Sequence, residues 1–387
     1  MVKASRDERM MRLALRLARR GYGATLPNPM VGAVLVKSGK IIGRGWHHRP
    51  GEPHAEIEAL RDAERKGHSP AGATLYVTLE PCCTHGRTPP CTDAIVAARI
   101  KKVIVGATDP NPAHHGKAFR LLQRKGIAVV TGVLAEEAER LNEAFDHWIV
   151  HGTPFVTVKA AMTLDGKIAT ASGESKWITG ERARQYGMKL RAGVDAILVG
   201  INTVLADDPQ LTVRGVKIRN PSPGGRPTEI RRKSETRNQK RRIVLDSGAR
   251  IPLSAKVVSD EFRELTSVVV GKSAPKRRVA ALAKRVNVLI APERNGRIDL
   301  KWLMAKLGQE KVASLLVEGG GEANASFLLG GLAHRVAFFY APKILGGRDA
   351  RKAVAGEGVK RVADMIRLSE VEWQHLGPDL LLSARVG

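Results

Sequence analysis

His54-Ala55-Glu56-Ile57-Glu58-Ala59-Leu60-Arg61-Asp62-Ala63-Glu64-Arg65 decides how the first half of the chain is read. Its spacing predicts a helix over Ala55–Arg65 that begins at the histidine, so His54 and Glu56 stand at a helix N-terminus. Further on, the β-rich run Leu75–Leu79 leads into Glu80-Pro81-Cys82, and a second helix, Thr92–Ala98, starts at Cys91. One imidazole and two thiolates can hold Zn²⁺ at three tetrahedral positions and leave the fourth for water. Two thiolates cancel the formal charge of the ion, yet its bound water still ionises near neutrality. Glu56, two residues past the histidine, is the spare carboxylate that moves protons toward a leaving amine. The combination predicts zinc-assisted hydrolysis of an amine from a ring.

Each of these residues alone has a plainer reading, since His-x-Glu recurs by chance and cysteine is commonly a small buried hydrophobe. The joint pattern favours the metal, because Cys82 and Cys91 both directly follow prolines and flank a Gly/Pro loop. Cys83 is read as structural, as adjacent side chains in a short turn point apart. The zinc-deaminase signature ordinarily closes as Pro-Cys-x-x-Cys, whereas eight residues separate Cys82 from Cys91 here. That insertion carries His85 and Arg87, and it suits a phosphorylated substrate better than a bare base.

At 387 residues the chain is long enough for two ordinary domains. Three cysteines, at least two in a metal pattern, leave no disulfide framework and predict a reducing cytoplasm. No apolar run approaches the ~18–20 residues of a membrane span. The arginine-rich stretch Arg6–Arg20 could be read as a transit peptide. Asp7 and Glu8 in its first turn, with Met11, Leu13, Leu15 and Leu17, predict a first domain helix instead. A net charge of +26 would ordinarily indicate nucleic acid. However, eleven Lys/Arg against two Asp/Glu fall within 214–242, beside Pro221, Pro223, Gly224, Gly225 and Pro227. Residues 215–242 are therefore expected to be a flexible basic insertion. With 4% aromatics there are few stacking platforms for single strands, and no specific nucleic-acid readout is expected. The expected partners are a small-molecule substrate and further copies of the chain.

Strand and helix patterns alternate through two domains, expected at 1–150 and 151–387, with His151-Gly152-Thr153-Pro154 as the boundary. In the first, Val31–Val36 and Lys40–Trp46 form a hairpin around Ser38-Gly39. Both halves of the metal site are then helix starts at strand ends, where an α/β sheet presents its crevice. In the second, strand Ser314–Glu318 runs into Gly319-Gly320-Gly321 and a helix. Glycines there let backbone N–H groups approach a phosphate, although a tight turn would use the same residues.

Together these segments resemble the bifunctional riboflavin-biosynthesis deaminase/reductase family over nearly the whole chain. The first half resembles it in Pro27-Asn28-Pro29-Met30-Val31-Gly32, Gly51-Glu52-Pro53-His54-Ala55-Glu56 and Leu79-Glu80-Pro81-Cys82 through Pro90-Cys91. The second resembles it in Lys159 through Lys167, Ser172 through Thr179, Leu205-Ala206-Asp207-Asp208-Pro209 and Val317-Glu318-Gly319-Gly320-Gly321. The resemblance implies a cytidine-deaminase-like three-layer α/β/α domain followed by a dihydrofolate-reductase-like α/β domain. It implies removal of the 2-amino group of 2,5-diamino-6-(5-phosphoribosylamino)pyrimidin-4(3H)-one, then NADPH-dependent reduction of the product's ribose to a ribityl chain. His54, Cys82 and Cys91 would bind zinc, Glu56 would shuttle protons, and Asn28, His47 and Arg87 would hold the substrate. Met162, Trp177, Thr203, Asp207, Ser247 and the run Gly320, Gly321, Glu322, Ala323, Asn324, Ala325, Ser326 match positions for the nicotinamide cofactor. Ser175, Arg191, Leu211, Arg214 and Glu318 match positions for the second substrate. Lys159 and Asp207 are the candidates for proton work in the reduction, and a structural ion pair between them is the competing reading. Two other functions compete: a zinc deaminase of nucleotides or tRNA with a non-catalytic second domain, and a basic nucleic-acid-binding protein with structural zinc.

Overall fold

The computed structural model describes residues 4–85, 89–216 and 239–387. They fall into two compact units, one running up to Gly152 and the other starting at Thr153. Arg87 and most of the expected basic insertion, 217–238, lie outside the described residues.

The first unit contains α1 (Arg6–Ala18), β1 (Gly32–Lys37), β2 (Lys40–Trp46), α2 (Ala55–Arg65), β3 (Thr74–Leu79), α3 (Cys91–Ala97), β4 (Lys102–Ala107), α4 (Lys117–Arg124), β5 (Ala128–Val130) and α5 (Ala135–His151). Its strands form one sheet in the order β2-β1-β3-β4-β5, with β1 antiparallel to both neighbours and the rest parallel. Strand alternation divides the side chains between two cores. Ala33, Leu35, Leu75, Val77, Val103 and Val105 pack under α2, α3 and α4. Val34, Val36, Tyr76 and Ile104 face α1 and α5. The result is a three-layer α/β/α unit. Helix α1 starts at a capping box, in which Ser5 Oγ accepts from Glu8 N while Glu8 reaches back to Ser5 N. Its Met11 and Leu15 are fully buried, each worth about 2–3 kcal/mol.

The second unit contains β6 (Phe155–Thr163), β7 (Lys167–Ala169), α6 (Glu181–Ala192), β8 (Ala196–Gly200), α7 (Ile201–Asp207), β9 (Arg241–Leu245), α8 (Lys256–Ser259), β10 (Thr266–Gly271), α9 (Lys276–Ala283) and β11 (Asn287–Ala291). A hairpin, β12 (Glu293–Arg294) and β13 (Arg297–Ile298), follows. The unit is completed by α10 (Leu300–Gln309), β14 (Ser314–Val317), α11 (Gly321–Leu329), β15 (Arg335–Ala341), β16 (Arg351–Lys352), β17 (Leu368–Leu376) and β18 (Asp379–Val386). The main sheet runs β11-β10-β9-β8-β14-β6-β15-β18-β17. The strands from β11 to β15 are parallel, and β18 and β17 add antiparallel pairings at the edge. Helices cover both faces, so the central parallel strands are continuous apolar runs such as Ala196–Val199.

The structure corrects the far boundary of the basic segment. Lys240 and Arg242 are buried, and Arg241 and Arg242 are residues of β9 rather than loop. Arg242 is 1% exposed. Its guanidinium donates to both carboxylate oxygens of Asp260 (2.6 and 2.8 Å), to Thr266 Oγ1, and to the carbonyls of Gln210 and Val257. A cation this fully satisfied can be buried, which composition alone does not reveal. No helix among the described residues is long and apolar enough to cross a membrane.

Candidate active sites

In the first unit, close backbone approach sets the metal ligands. Gly45 on β2 lies so near the start of α2 that a Cβ there would stand 2.2 Å from Ala55 O. This seats the first turn of α2 on the sheet, with His54 as N-cap and Glu56 only 3% exposed. Cys82 follows β3, and Cys91 opens α3 with its backbone N–H donating to Cys82 Sγ at 3.3 Å. His54 Nδ1 lies 3.5 Å from Cys82 Sγ and 3.3 Å from Cys91 Sγ, and all three ligand atoms fall within 4.8 Å of one another. A tetrahedral ion with Zn–S of about 2.3 Å and Zn–N of about 2.0–2.1 Å needs N and S atoms roughly 3.5 Å apart. The three residues fit zinc in both chemistry and spacing.

Burial, reinforced by the Cys82 thiolate, pushes the Glu56 carboxyl up to about 7, a value suited to both taking and giving a proton near neutrality. His47 is buried, and burial lowers it to about 4, so it is neutral. Its Nδ1 lies 3.2 Å from the Pro53 carbonyl, which can only accept, so Nδ1 carries the proton. Nε2 then accepts from the Asn28 amide at 3.2 Å. His47 meets His54 edge to face at 5.3 Å. Asn28, His47, His54, Glu56, Cys82 and Cys91 are thus brought together. Sequence reasoning missed Glu80, whose carboxylate accepts from the backbone N–H groups of Asp109, Gly116 and Ala118 and holds that loop beside Cys82. A glutamate directly before Pro-Cys was the available signal.

In the second unit, two cavities of about 880 and 890 Å³ meet at Ser175, Thr203, Asp207 and Gly320. Gly200, Ser247, Gly321, Glu322, Ala323 and Ser326 line the first. Gly320 N donates to Thr203 Oγ1 at 3.1 Å, and a Cβ on Gly319 would strike the Ala323 Cβ at 2.3 Å, so the turn into α11 requires glycine. Bare backbone at a helix start on an open cavity fits a dinucleotide pyrophosphate. Within the run Gly320–Ser326, the helical repeat turns Asn324 and Ala325 into the core, and the other five residues line the cavity. The Met162 side chain is likewise buried, packed with Ala160 and Ala353. Trp177 lines the second cavity instead of the first, stacked by the Arg184 guanidinium at 4.6 Å.

Lys159, Ser175, Arg191, Leu211, Arg214 and Glu318 all line the second cavity. Arg191 Nε and Nη2 bind both oxygens of Glu318 at 2.7 and 2.9 Å, and Nη1 donates to the Thr212 carbonyl. Burial alone would raise Glu318, but the charges of Arg191 and Lys159 win and hold its carboxyl at about 2. The carboxylate beside Lys159 is Glu318, at 3.9 Å, while Asp207 accepts from Ser175 Oγ at 3.1 Å. Lys159 and Asp207 therefore have separate partners, and no ion pair joins them among the described residues.

The two units and their sites define a two-headed enzyme, a zinc-dependent hydrolytic deaminase domain followed by a reductase domain. Residues 4–107 match the model for the cytidine and deoxycytidylate deaminase zinc-binding region, and residues 154–382 match the RibD C-terminal domain. Riboflavin biosynthesis protein RibD of Aquifex aeolicus is 43% identical over 97% of this chain and 97% of its own length. That of Escherichia coli is 41% identical over 97% of this chain and 98% of its own. Among solved structures, Acinetobacter baumannii RibD matches with a TM-score of 0.84 at 37% identity, covering 98% of this chain and 99% of that one. A Thermotoga maritima diaminohydroxyphosphoribosylaminopyrimidine deaminase/5-amino-6-(5-phosphoribosylamino)uracil reductase matches at 0.78 and 34%, with the same coverage. The chain belongs to the RibD family of riboflavin biosynthesis. It is a bifunctional enzyme whose deaminase half uses zinc and whose reductase half uses NADPH.

Proposed function

We propose that the chain converts 2,5-diamino-6-(5-phosphoribosylamino)pyrimidin-4(3H)-one to its uracil counterpart and then reduces the ribose to a ribityl chain. The observation that carries this is one chain holding both a His54–Cys82–Cys91 ligand set beside Glu56 and a dinucleotide-sized cavity meeting a second cavity at Ser175 and Asp207.

In the deamination, zinc bound by His54, Cys82 and Cys91 supplies the Lewis acidity that makes water nucleophilic near neutral pH. Glu56 takes a proton from the attacking water and gives it to the departing amine, so ammonia leaves as the ring carbonyl forms. Neutral His47, its Nδ1–H fixed on Pro53 O, orients the Asn28 amide against the pyrimidine. Arg87 is assigned to the phosphate. In the reduction, Thr203, Gly320, Gly321 and Ser326 would hold NADPH, which would supply the hydride that the sugar needs at C1′. Lys159 supplies the proton, because its ammonium has hydrogens to give. Asp207, already accepting from Ser175, positions that hydroxyl. Arg191 is fully engaged by Glu318 and Thr212, so it orders the pocket wall, and Arg214 remains to meet the substrate phosphate.

The domain assignment of 1–150 to deamination and 151–387 to reduction belongs to this reading, as do a cytoplasmic location and self-association without a specific nucleic-acid partner. Self-association is supported by the edge strand β17, which leaves Leu368, Val371 and Trp373 exposed. The decisive assay is oxidation of NADPH by purified protein given 5-amino-6-(5-phosphoribosylamino)uracil. Turnover that depends on this compound supports the reading. Stoichiometric zinc and deamination with no NADPH oxidation would leave only the first half.

A further inference from the structure

The cofactor cavity has a direction. At one end it shares Ile168, Ser175, Thr203, Asp207 and Gly320 with the substrate cavity, which is lined by Lys159 and Glu318 on the β6 and β14 side of the sheet. The hydride-donating ring must lie at that shared end. The glycine turn, from Gly320 at the border of that end to Gly321 on the start of α11, takes the pyrophosphate next to it. The adenosine half then falls past β8 at the end of β9, where Leu245, Ser247, Arg297 and Leu300 form the wall.

Three cationic side chains line this cavity, and they lie at different levels. A Cβ on Gly173 would be 3.3 Å from Arg351 Nη2, which puts that guanidinium near the Ser175 end. The Lys352 backbone packs against Gly321, beside the pyrophosphate level. Arg297 alone stands at the adenosine end. It sits on β13, just past the Asn295-Gly296 turn, where φ is +52° and +69°. Among the described residues its guanidinium has no hydrogen-bond or salt-bridge partner. The two carboxylates lining the cavity, Asp207 and Glu322, lie toward the shared end and on α11, so none stands at the adenosine end. A site built for a free ribose 2′-hydroxyl places an acid there, whereas a 2′-phosphate needs a cation and no acid.

We propose that Arg297, with the Ser247 hydroxyl lining the same cavity, reads the 2′-phosphate and is the residue that makes this reductase select NADPH over NADH. This rests on the assignment of the first cavity to the cofactor. Arg is suited to the task because its planar fork of donors matches phosphate oxygens.

The test is steady-state reduction with NADPH and with NADH by the wild-type chain, Arg297→Gln and Arg351→Gln, together with calorimetric binding of 2′-AMP and 5′-AMP. Arg297→Gln is expected to raise KM for NADPH roughly 10- to 100-fold, the factor carried by one charge-assisted contact. KM for NADH and kcat with either cofactor should stay within about threefold, since uniform binding of one remote group is what is lost. Binding of 2′-AMP should weaken in parallel while that of 5′-AMP is unchanged. Equal losses for both cofactors, no loss, or a selective loss that follows Arg351 instead would overturn the proposal. A wild-type chain that oxidises neither cofactor would refute the reductase reading itself. The nucleotide binding would then still decide whether Arg297 holds a 2′-phosphate.

Discussion

Glu56 and Glu318 are both buried carboxylates, and their surroundings shift them in opposite directions. Glu56 is pushed up to about 7 by burial, while Glu318 is held at about 2 by Arg191 and Lys159 against the effect of burial. Glu56→Gln keeps the shape and removes the proton carrier. It should retain zinc by elemental analysis, lose deamination by roughly 10²–10⁴-fold, and leave reduction of the deaminated compound intact. Surviving deamination would refute the shuttle role. For Glu318 the sign follows from its depressed value: its stabilisation is complete above the unfolded pKa near 4.5 and disappears as pH falls toward 2. The Glu318→Gln variant strands the buried Arg191 cation and should lower unfolding free energy by about 3–5 kcal/mol, read from urea denaturation of the second unit. An unchanged midpoint would show that Arg191 finds another anion.

At the level of elements, the parts that read well from sequence were those with strong periodicity or punctuation. Ser38-Gly39 announced the β1–β2 hairpin, and both residues do take left-handed φ, +46° and +82°. His54 at a helix start and Cys91 after Pro90 placed the ligands on α2 and α3. Other elements stayed hidden for physical reasons. Helix α7 opens with Ile201-Asn202-Thr203-Val204, where three β-branched residues imitate a continuing strand, and its Ile201 and Val204 are the residues packed into the core. The β12–β13 hairpin carries an Asn295-Gly296 turn, but its flanks are charged instead of alternating apolar, so no strand pattern frames the turn. The inward turn of Asn324 and Ala325 depends on where α11 packs, which no local pattern states. Close approach at Gly45 is equally invisible in sequence and has a testable consequence. In Gly45→Ala the new methyl has backbone, not a flexible side chain, to displace. The substitution should destabilise by about 1–3 kcal/mol in a melting experiment and lower zinc occupancy by shifting α2. Full occupancy and an unchanged melting temperature would mean that α2 is not set by this contact.

For the whole molecule, the charge of +26 is carried mainly outside segment 217–238. Segment 217–238 carries seven Lys/Arg and two Glu, so its removal takes away only five net charges. Deleting Lys217 through Asn238 should leave both activities within about threefold in the coupled assay, and loss of reductase turnover would show that the segment helps to build the site. Gln239 must stay, because its side chain bonds both the N–H and the carbonyl of Val213. Together with Arg191 on Thr212 and Arg242 on Gln210, it rivets the stretch that carries Leu211 and Arg214 to the body of the second unit. Each rivet joins residues up to Val213 or from Gln239 onward, so the substrate wall is expected to keep its geometry when the segment between them is changed. If the deletion leaves both activities intact, the same position becomes a carrier site, where a fluorophore, an affinity tag or an entire guest domain is expected to report on the enzyme at unchanged turnover.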